Sequence, residues 1–211
     1  MGLAIVVGAF ADAAEDPEFA DDLRESFHRL NTVLVRNGLE QHCEPEATEY
    51  LQSRAGLESF PYSFLHYLRR AYARVAADPD FVAEPLPADA DPGEDTAVAH
   101  EYERAASHLL CHSDCEGYYV PQDFTDVVFC DEEEAPGGMI GSSYRLRDEL
   151  LEVAPALGIQ IEGGLVSDSE VERINELSYE DEGLFRELTV WITLFEAARL
   201  SIEHNAAVVF S

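Results

Sequence analysis

The chain of 211 residues contains no lysine, and its 13 basic side chains are all arginine. These arginines face 43 acidic residues, which gives a formal net charge of −30 at pH 7. A surface with so few cations repels phosphate backbones and anionic lipid headgroups. The composition therefore predicts a protein that binds neither nucleic acid nor membranes.

Long apolar runs and cysteine-rich motifs are also absent. No apolar run approaches the roughly 18 residues needed to span a bilayer, and the opening MGLAIVVGAFADAAED lacks the features of a secretion signal. The 4 cysteines are too few and too scattered to form a disulfide scaffold in a chain of this length. We therefore expect a soluble, cytoplasmic protein with reduced thiols.

Hydrophobic residues are nevertheless plentiful, at 46% of the chain with 10% aromatic, which is enough for a substantial core. Apolar runs and alternating patterns predict strands at 3–8, 107–112, 125–129 and 206–210. We expect these strands to form a central mixed sheet covered by amphipathic helices. The predicted fold is α/β, with mixed α+β as the alternative, in a single domain spanning 1–211.

Helical spacing of apolar residues is clearest in three segments. The first ends before Gly38 and carries Phe19, Leu23, Phe27, Leu30 and Leu34 at intervals of three to four residues. A second helix follows Ser59, which is a candidate N-cap. The third, at 184–202, is apolar over much of its circumference, which predicts a deeply buried helix. The same helix could instead form a homo-oligomer interface.

One segment, 78–95, differs sharply from its surroundings. It contains seven acidic residues, four prolines and no basic residue. Proline and clustered charge disfavour regular structure, so this composition predicts an exposed loop or linker within the domain.

The stretch SHLLCHSDCEGYYVPQDF, at 107–124, has the highest density of chemically active side chains. If it begins as a strand, its polar end lies where open α/β sheets place ligand sites. His112 is then a candidate general base, and Asp114 or Glu116 could orient its ring. The alternative is a polar strand end whose side chains only satisfy nearby backbone groups.

Alternation along the same strand bears on metal binding. It turns Cys111 and Cys115 away from His108 and His112, so the four side chains cannot converge on one zinc ion. If the segment is instead the end of a helix, the two histidines lie one turn apart, an arrangement that can supply two metal ligands. We predict no metal and no cofactor.

A glycine-rich loop at 137–143 directly precedes a predicted helix. Its glycines permit tight turns, its serines can cap the helix, and exposed N–H groups at such a point attract carboxylate or phosphate. An ordinary capped loop is the alternative. The predicted anion-binding residues are Gly137, Gly138, Gly141, Ser142 and Ser143.

Three functions are compatible with these features. The first is an acidic binding or inhibitory protein, of the immunity type, that neutralises a basic protein partner through complementary charge. The second is a small hydrolase or anion-binding enzyme built on His112, Asp114 and the loop at 137–143. The third is a housekeeping domain of a salt-adapted organism, in which the charge only keeps the surface solvated.

Overall fold

A mixed six-stranded sheet forms the centre of the protein, in a computed structural model that describes residues 2–11, 13, 16–46, 51–87 and 89–211. The strand order is β2-β1-β6-β3-β5-β4, in which β3 and β5 pair in parallel and the other neighbours are antiparallel. The prediction of an α/β fold with a mixed sheet is confirmed. The strands are β1 (Gly2–Val7), β2 (Ser59–Pro61), β3 (Gly117–Val120), β4 (Val128–Phe129), β5 (Met139–Ser142) and β6 (Val208–Phe210).

Helices cover both faces of this sheet. Strand alternation sends Tyr118 and Val120 of β3 to one hydrophobic cluster and Tyr119 to the other. The helix α1 packs on the first face, and α2, α5, α6 and α7 contribute to the second. The helices are α1 (Pro17–Arg36), α2 (Tyr62–Ala77), α3 (Thr96–Arg104), α4 (His108–Cys111), α5 (Ser143–Val153), α6 (Asp168–Tyr179) and α7 (Phe185–His204).

The first predicted helix is confirmed as α1. The side chain of Asp16 accepts hydrogen bonds from the N–H groups of Glu18 and Phe19 at 3.1 and 3.2 Å, which caps the first turn. Gly38 follows the helix with φ +76°, a left-handed conformation that glycine adopts without strain. The apolar residues of α1 face the sheet, and its charged residues therefore face solvent.

The helix α7 confirms the prediction of a buried helix near 184–202. Trp191 is fully buried, and its indole N–H donates to the carbonyl oxygen of Leu150 at 2.7 Å. Because α7 packs against α2, α5 and α6, its apolar circumference is covered within the chain. The predicted homo-oligomer interface through this helix is therefore wrong. Among the described residues, no helix has both the length and the apolar character needed to cross a membrane.

The predicted strand at 107–112 is wrong, because these residues form the single helical turn α4. Ser107 caps the turn by accepting from the N–H of Leu110 at 3.0 Å. A carboxylate from α5, Glu149, accepts from the N–H groups of His108 and Leu109 at 2.8 and 2.7 Å. A short apolar run such as Leu109–Cys111 fits a strand and a buried helical turn equally well, and here the distant partner Glu149 decides between them.

The segment predicted as a glycine-rich loop, 137–143, contains a central strand. Gly137 and Gly138 lie in a short 3-10 turn, but Gly141 lies within β5. A Cβ atom on Gly141 would lie 2.3 Å from the Tyr119 ring of the neighbouring strand, so close packing, and not a turn, requires glycine there. The predicted strand at 125–129 is shorter in the structure, where β4 covers Val128–Phe129.

Candidate functional site

The histidine predicted as a general base, His112, is enclosed in the core. Its ring stacks on Tyr119 with centroids 4.3 Å apart and lies 4.3 Å from the ring of Phe210. The Nδ1–H group donates to the carbonyl oxygen of Ser113 at 2.9 Å. Burial lowers the pKa of His112 to about 3, so the ring is neutral at physiological pH. A buried, weakly basic ring has no access to a substrate, so the geometry gives the catalytic role no support.

The carboxylates predicted to orient His112 have other surroundings. Asp114 forms an ion pair with the buried guanidinium of Arg69 and lies 3.3 Å from Nε2 of His66. Arg69 also donates to the carbonyl oxygens of Leu109, at 2.9 Å, and of His112. Asp114 thus neutralises an arginine that fixes the chain after α4. Glu116 is exposed on the following loop.

The second histidine of this stretch, His108, has a structural role. Its Nδ1 accepts from the N–H of Ser142 at 3.0 Å, so the proton is on Nε2, which donates to the carbonyl oxygen of Thr125 at 3.1 Å. Burial lowers the pKa of this ring, which keeps it neutral. Both nitrogens are therefore occupied by the backbone and are not free to bind a metal ion.

The predicted anion-binding residues lie close to the predicted catalytic ones, but the contact is made by packed backbone. A Cβ atom on Gly137 would lie 2.5 Å from the carbonyl oxygen of Glu116. Ser142 is the N-cap of α5, accepting from the N–H of Arg145 at 3.3 Å, and Ser143 shares a hydrogen bond of 2.7 Å with Ser201. Both serines are fully buried. An anion needs open N–H donors, whereas the N–H groups of Gly138 and Ser142 already donate to Ala135 and His108.

All 13 arginines have partners within the chain. Twelve form ion pairs with carboxylates. The remaining one, Arg186, lies over the rings of Phe185, Tyr67 and Phe64 at 4.4, 4.9 and 5.7 Å. No arginine is therefore left over to neutralise the exposed carboxylates.

The helix α6 and its C-cap residue present a regular row of such carboxylates. We call this row the α6 ridge and define it as Glu172, Glu176 and Glu180. The three side chains are exposed and form no ion pair with the described arginines. Their spacing of four residues places them about 6 Å apart on one side of the helix axis. One strand of duplex DNA carries a phosphate for about every 3.4 Å of axis. The ridge thus has roughly half the linear charge density of one DNA strand.

A second acidic surface surrounds α1. Glu18 and Asp22 are exposed on its first turns and have no arginine partner among the described residues. At the other end, Arg36 binds Glu134 through two hydrogen bonds of 2.5 and 2.9 Å. This contact holds an acidic turn, 131–133, beside the end of α1. The turn has three exposed carboxylates, those of Asp131, Glu132 and Glu133.

The predicted acidic loop at 78–95 forms a third surface and is anchored to the core. The N–H of Ala83 donates to the carbonyl oxygen of Ala156 at 2.9 Å. Asp95 accepts from Arg70 and Arg74 at 2.9 and 2.7 Å and caps α3. These contacts fix the loop at Ala83 and at its C-terminal end, although Ala88 lies outside the described residues. The exposed carboxylates of the loop are those of Asp78, Asp80, Glu84, Asp89, Asp91 and Glu94.

Comparison with known protein families gives one family for this chain. A family model described as "Putative DNA-mimic protein" matches residues 1–210. The chain belongs to this family. No curated protein and no solved structure matches the chain.

Membership in the DNA-mimic family corrects the predicted partners. The sequence predicted a basic protein of unspecified kind as the partner. It also predicted that nucleic acid is not involved. That prediction was wrong, because the partners that a DNA-mimic family suggests are DNA-binding proteins, so nucleic acid is involved through the partner.

For a DNA-mimic protein, the residues of interest are exposed carboxylates, and sequence reasoning concentrated on the buried polar stretch at 107–124 instead. The signal for the α6 ridge is present in the sequence, where glutamates recur every fourth residue from 172 to 180. Helical spacing alone places them on one face. Which carboxylates lack an arginine partner depends on the fold.

Proposed function

We propose that the protein binds the DNA-binding surface of a DNA-binding protein and so prevents that surface from binding DNA. The observation that carries the proposal is the complete internal use of the 13 arginines, which leaves rows of exposed carboxylates without cations. A polyanionic surface of this kind attracts the lysine and arginine side chains that otherwise contact phosphate.

The acidic surfaces are also held in place, which favours binding. The α6 ridge lies on a helix that packs against α7, and the turn at 131–133 is tied to α1 through the Arg36–Glu134 pair. Carboxylates fixed before association lose less conformational freedom on binding than those of a disordered acidic tail. Their combined field should also accelerate encounter with a cationic partner, and salt should slow this encounter.

The proposal is tested by displacement with defined polyanions. The immobilised protein is exposed to lysate of its source organism, and bound proteins are eluted either with duplex DNA or with polyglutamate of equal total charge. We expect duplex DNA to release the bound proteins much more effectively, because their site is shaped for phosphates in duplex geometry. Each released protein is then purified and bound to a labelled duplex, which the chain should displace.

Two outcomes would contradict the proposal. One is that the retained proteins show no affinity for DNA. The other is that polyglutamate releases them as effectively as duplex DNA, since the chain would then act only as an unspecific polyanion.

A further inference from the structure

The central sheet ends in two edge strands, β2 and β4. The strand β2 includes Pro61, and proline has no N–H group to offer to a further strand. The strand β4, Val128–Phe129, contains no proline. Backbone pairing with a segment from outside the sheet is therefore easier at β4.

The backbone of Phe129 is turned away from the sheet. Along an antiparallel ladder, each residue that exchanges hydrogen bonds with the neighbouring strand is followed by one whose N–H and C=O groups point outward. The N–H of Cys130 donates to the carbonyl oxygen of Gly138 at 3.0 Å, so Cys130 points inward and Phe129 points outward. In the part of the chain that the structure describes, neither backbone group of Phe129 has a hydrogen-bond partner.

The side chain of Phe129 is also accessible. Its neighbour Val128 is buried in the cluster beneath α1, and alternation turns Phe129 to the other face of the sheet, where 53% of its surface is exposed. Phe129 thus offers two free backbone groups and an apolar side chain at one point. An added strand uses both, because its backbone supplies the hydrogen bonds and its side chains pack on the exposed ring.

The charges beside Phe129 indicate which kind of strand fits. Asp126 precedes β4 and the acidic turn at 131–133 follows it, and all four carboxylates are exposed. The Arg36–Glu134 pair holds this turn in place. A strand that carries basic side chains is therefore attracted at both ends of its contact with β4.

The same charges disfavour a second copy of the chain at this edge. An antiparallel pair of β4 strands centred on Phe129 would place Asp126 of each copy opposite Glu132 of the other. Like charges directly opposite each other destabilise a strand pair, and natural proteins use this effect to prevent edge-to-edge association. The edge therefore fits a cationic segment better than it fits itself.

We propose that an extended basic segment of the partner protein adds to the sheet at β4 and pairs its backbone with that of Phe129. The inference rests on the proposed function for the nature of the partner and adds a contact of defined geometry. Basic arms that follow the grooves of DNA occur in many DNA-binding proteins. Such an arm carries unpaired backbone groups as well as cations, and the edge at Phe129 can bind both.

The test uses a synthetic heptapeptide in which arginine alternates with threonine and valine occupies the centre. A second peptide has the same sequence but is N-methylated at valine and at both threonines, which removes backbone donors and keeps the charge. Each peptide is titrated into the full chain and followed by heteronuclear NMR. We expect shift changes at 126–133, about tenfold slower hydrogen exchange at the Phe129 amide with saturating peptide, and about fivefold weaker binding of the N-methylated peptide.

The variant Phe129→Ala should weaken binding of the unmodified peptide about fivefold to tenfold. The matched control is Phe19→Ala, since Phe19 is likewise exposed and lies beside Glu18 and Asp22. The N–H of Phe19 already donates to Asp16, so this surface has the ring and the charges without a free backbone donor at the ring. The control should bind the peptide as the wild type does.

Equal binding of the two peptides, unchanged exchange at Phe129, or equal losses in the two variants would overturn the proposal. Self-association of the free chain that Phe129→Ala abolishes would also overturn it, because the edge would then belong to a second copy. If the peptide pairs with β4 but the chain displaces no DNA, the proposed function fails and the edge site stands. If the chain displaces DNA and the peptide leaves Phe129 unprotected, the edge site alone fails.

Discussion

Replacement of Glu149 by glutamine should change how the stability of the protein depends on pH. The carboxylate of Glu149 is largely enclosed at the start of α4, where it accepts hydrogen bonds from Ser107, His108 and Leu109. Burial raises its pKa from the ordinary 4.5 to about 7, although the three hydrogen bonds favour the ionised form. The folded protein therefore holds a proton at Glu149 over a pH range in which the unfolded chain has released it.

The sign of the effect follows from this difference in bound protons. Because the pKa of Glu149 is higher in the folded state, its contribution to stability is fully present below about pH 4.5 and is lost as the pH rises through about 7. A shift from 4.5 to about 7, at roughly 1.4 kcal/mol per pKa unit, corresponds to about 3 kcal/mol. Glutamine does not titrate, so Glu149→Gln should lack this loss.

The measurement is the free energy of unfolding by urea between about pH 5 and about pH 8, in about 0.5 M NaCl to screen the repulsion of the surface charges. The wild type should lose up to about 3 kcal/mol relative to Glu149→Gln across this range. Glu172→Gln, which removes an exposed carboxylate of α6, serves as the control and should follow the wild type. Parallel pH profiles for the wild type and Glu149→Gln would show that the hydrogen bonds outweigh burial and would refute the reasoning.

Three further predictions concern charge. The melting temperature should rise with NaCl, because salt screens the self-repulsion of a chain with net charge −30; a flat or falling curve in thermal denaturation would remove that argument. The triple variant Glu172→Gln/Glu176→Gln/Glu180→Gln should bind a partner that duplex DNA releases from the chain about tenfold more weakly than the wild type does. The loss should arise mainly from slower association at low salt, measured by surface plasmon resonance. An unchanged association rate would exclude the α6 ridge from the interface. Glu196→Ala should lower the unfolding free energy by about 3–5 kcal/mol, because it leaves two arginines without their buried carboxylate; a loss below about 1 kcal/mol in urea titration would contradict this.

The sequence by itself determined those features that depend on local periodicity and on composition. Apolar residues at helical spacing from Phe19 to Leu34 predicted α1, because one face of a helix must be buried whatever it packs against. The apolar circumference near 184–202 predicted the buried position of α7 for the same reason. The net charge predicted an acidic surface, since 13 arginines cannot neutralise 43 acidic residues in any fold.

Only the tertiary structure decided the features that depend on contacts between distant residues. The stretch at 107–112 is helical because Glu149, about 40 positions away, accepts the N–H groups of its first turn. His112 is buried because Tyr119 and Phe210 enclose its ring. The pairing of each arginine likewise depends on the fold, and this pairing determines which exposed carboxylates have no arginine partner. Local patterns cannot encode such contacts, because the free energy that selects them arises only when segments far apart in the chain are packed together.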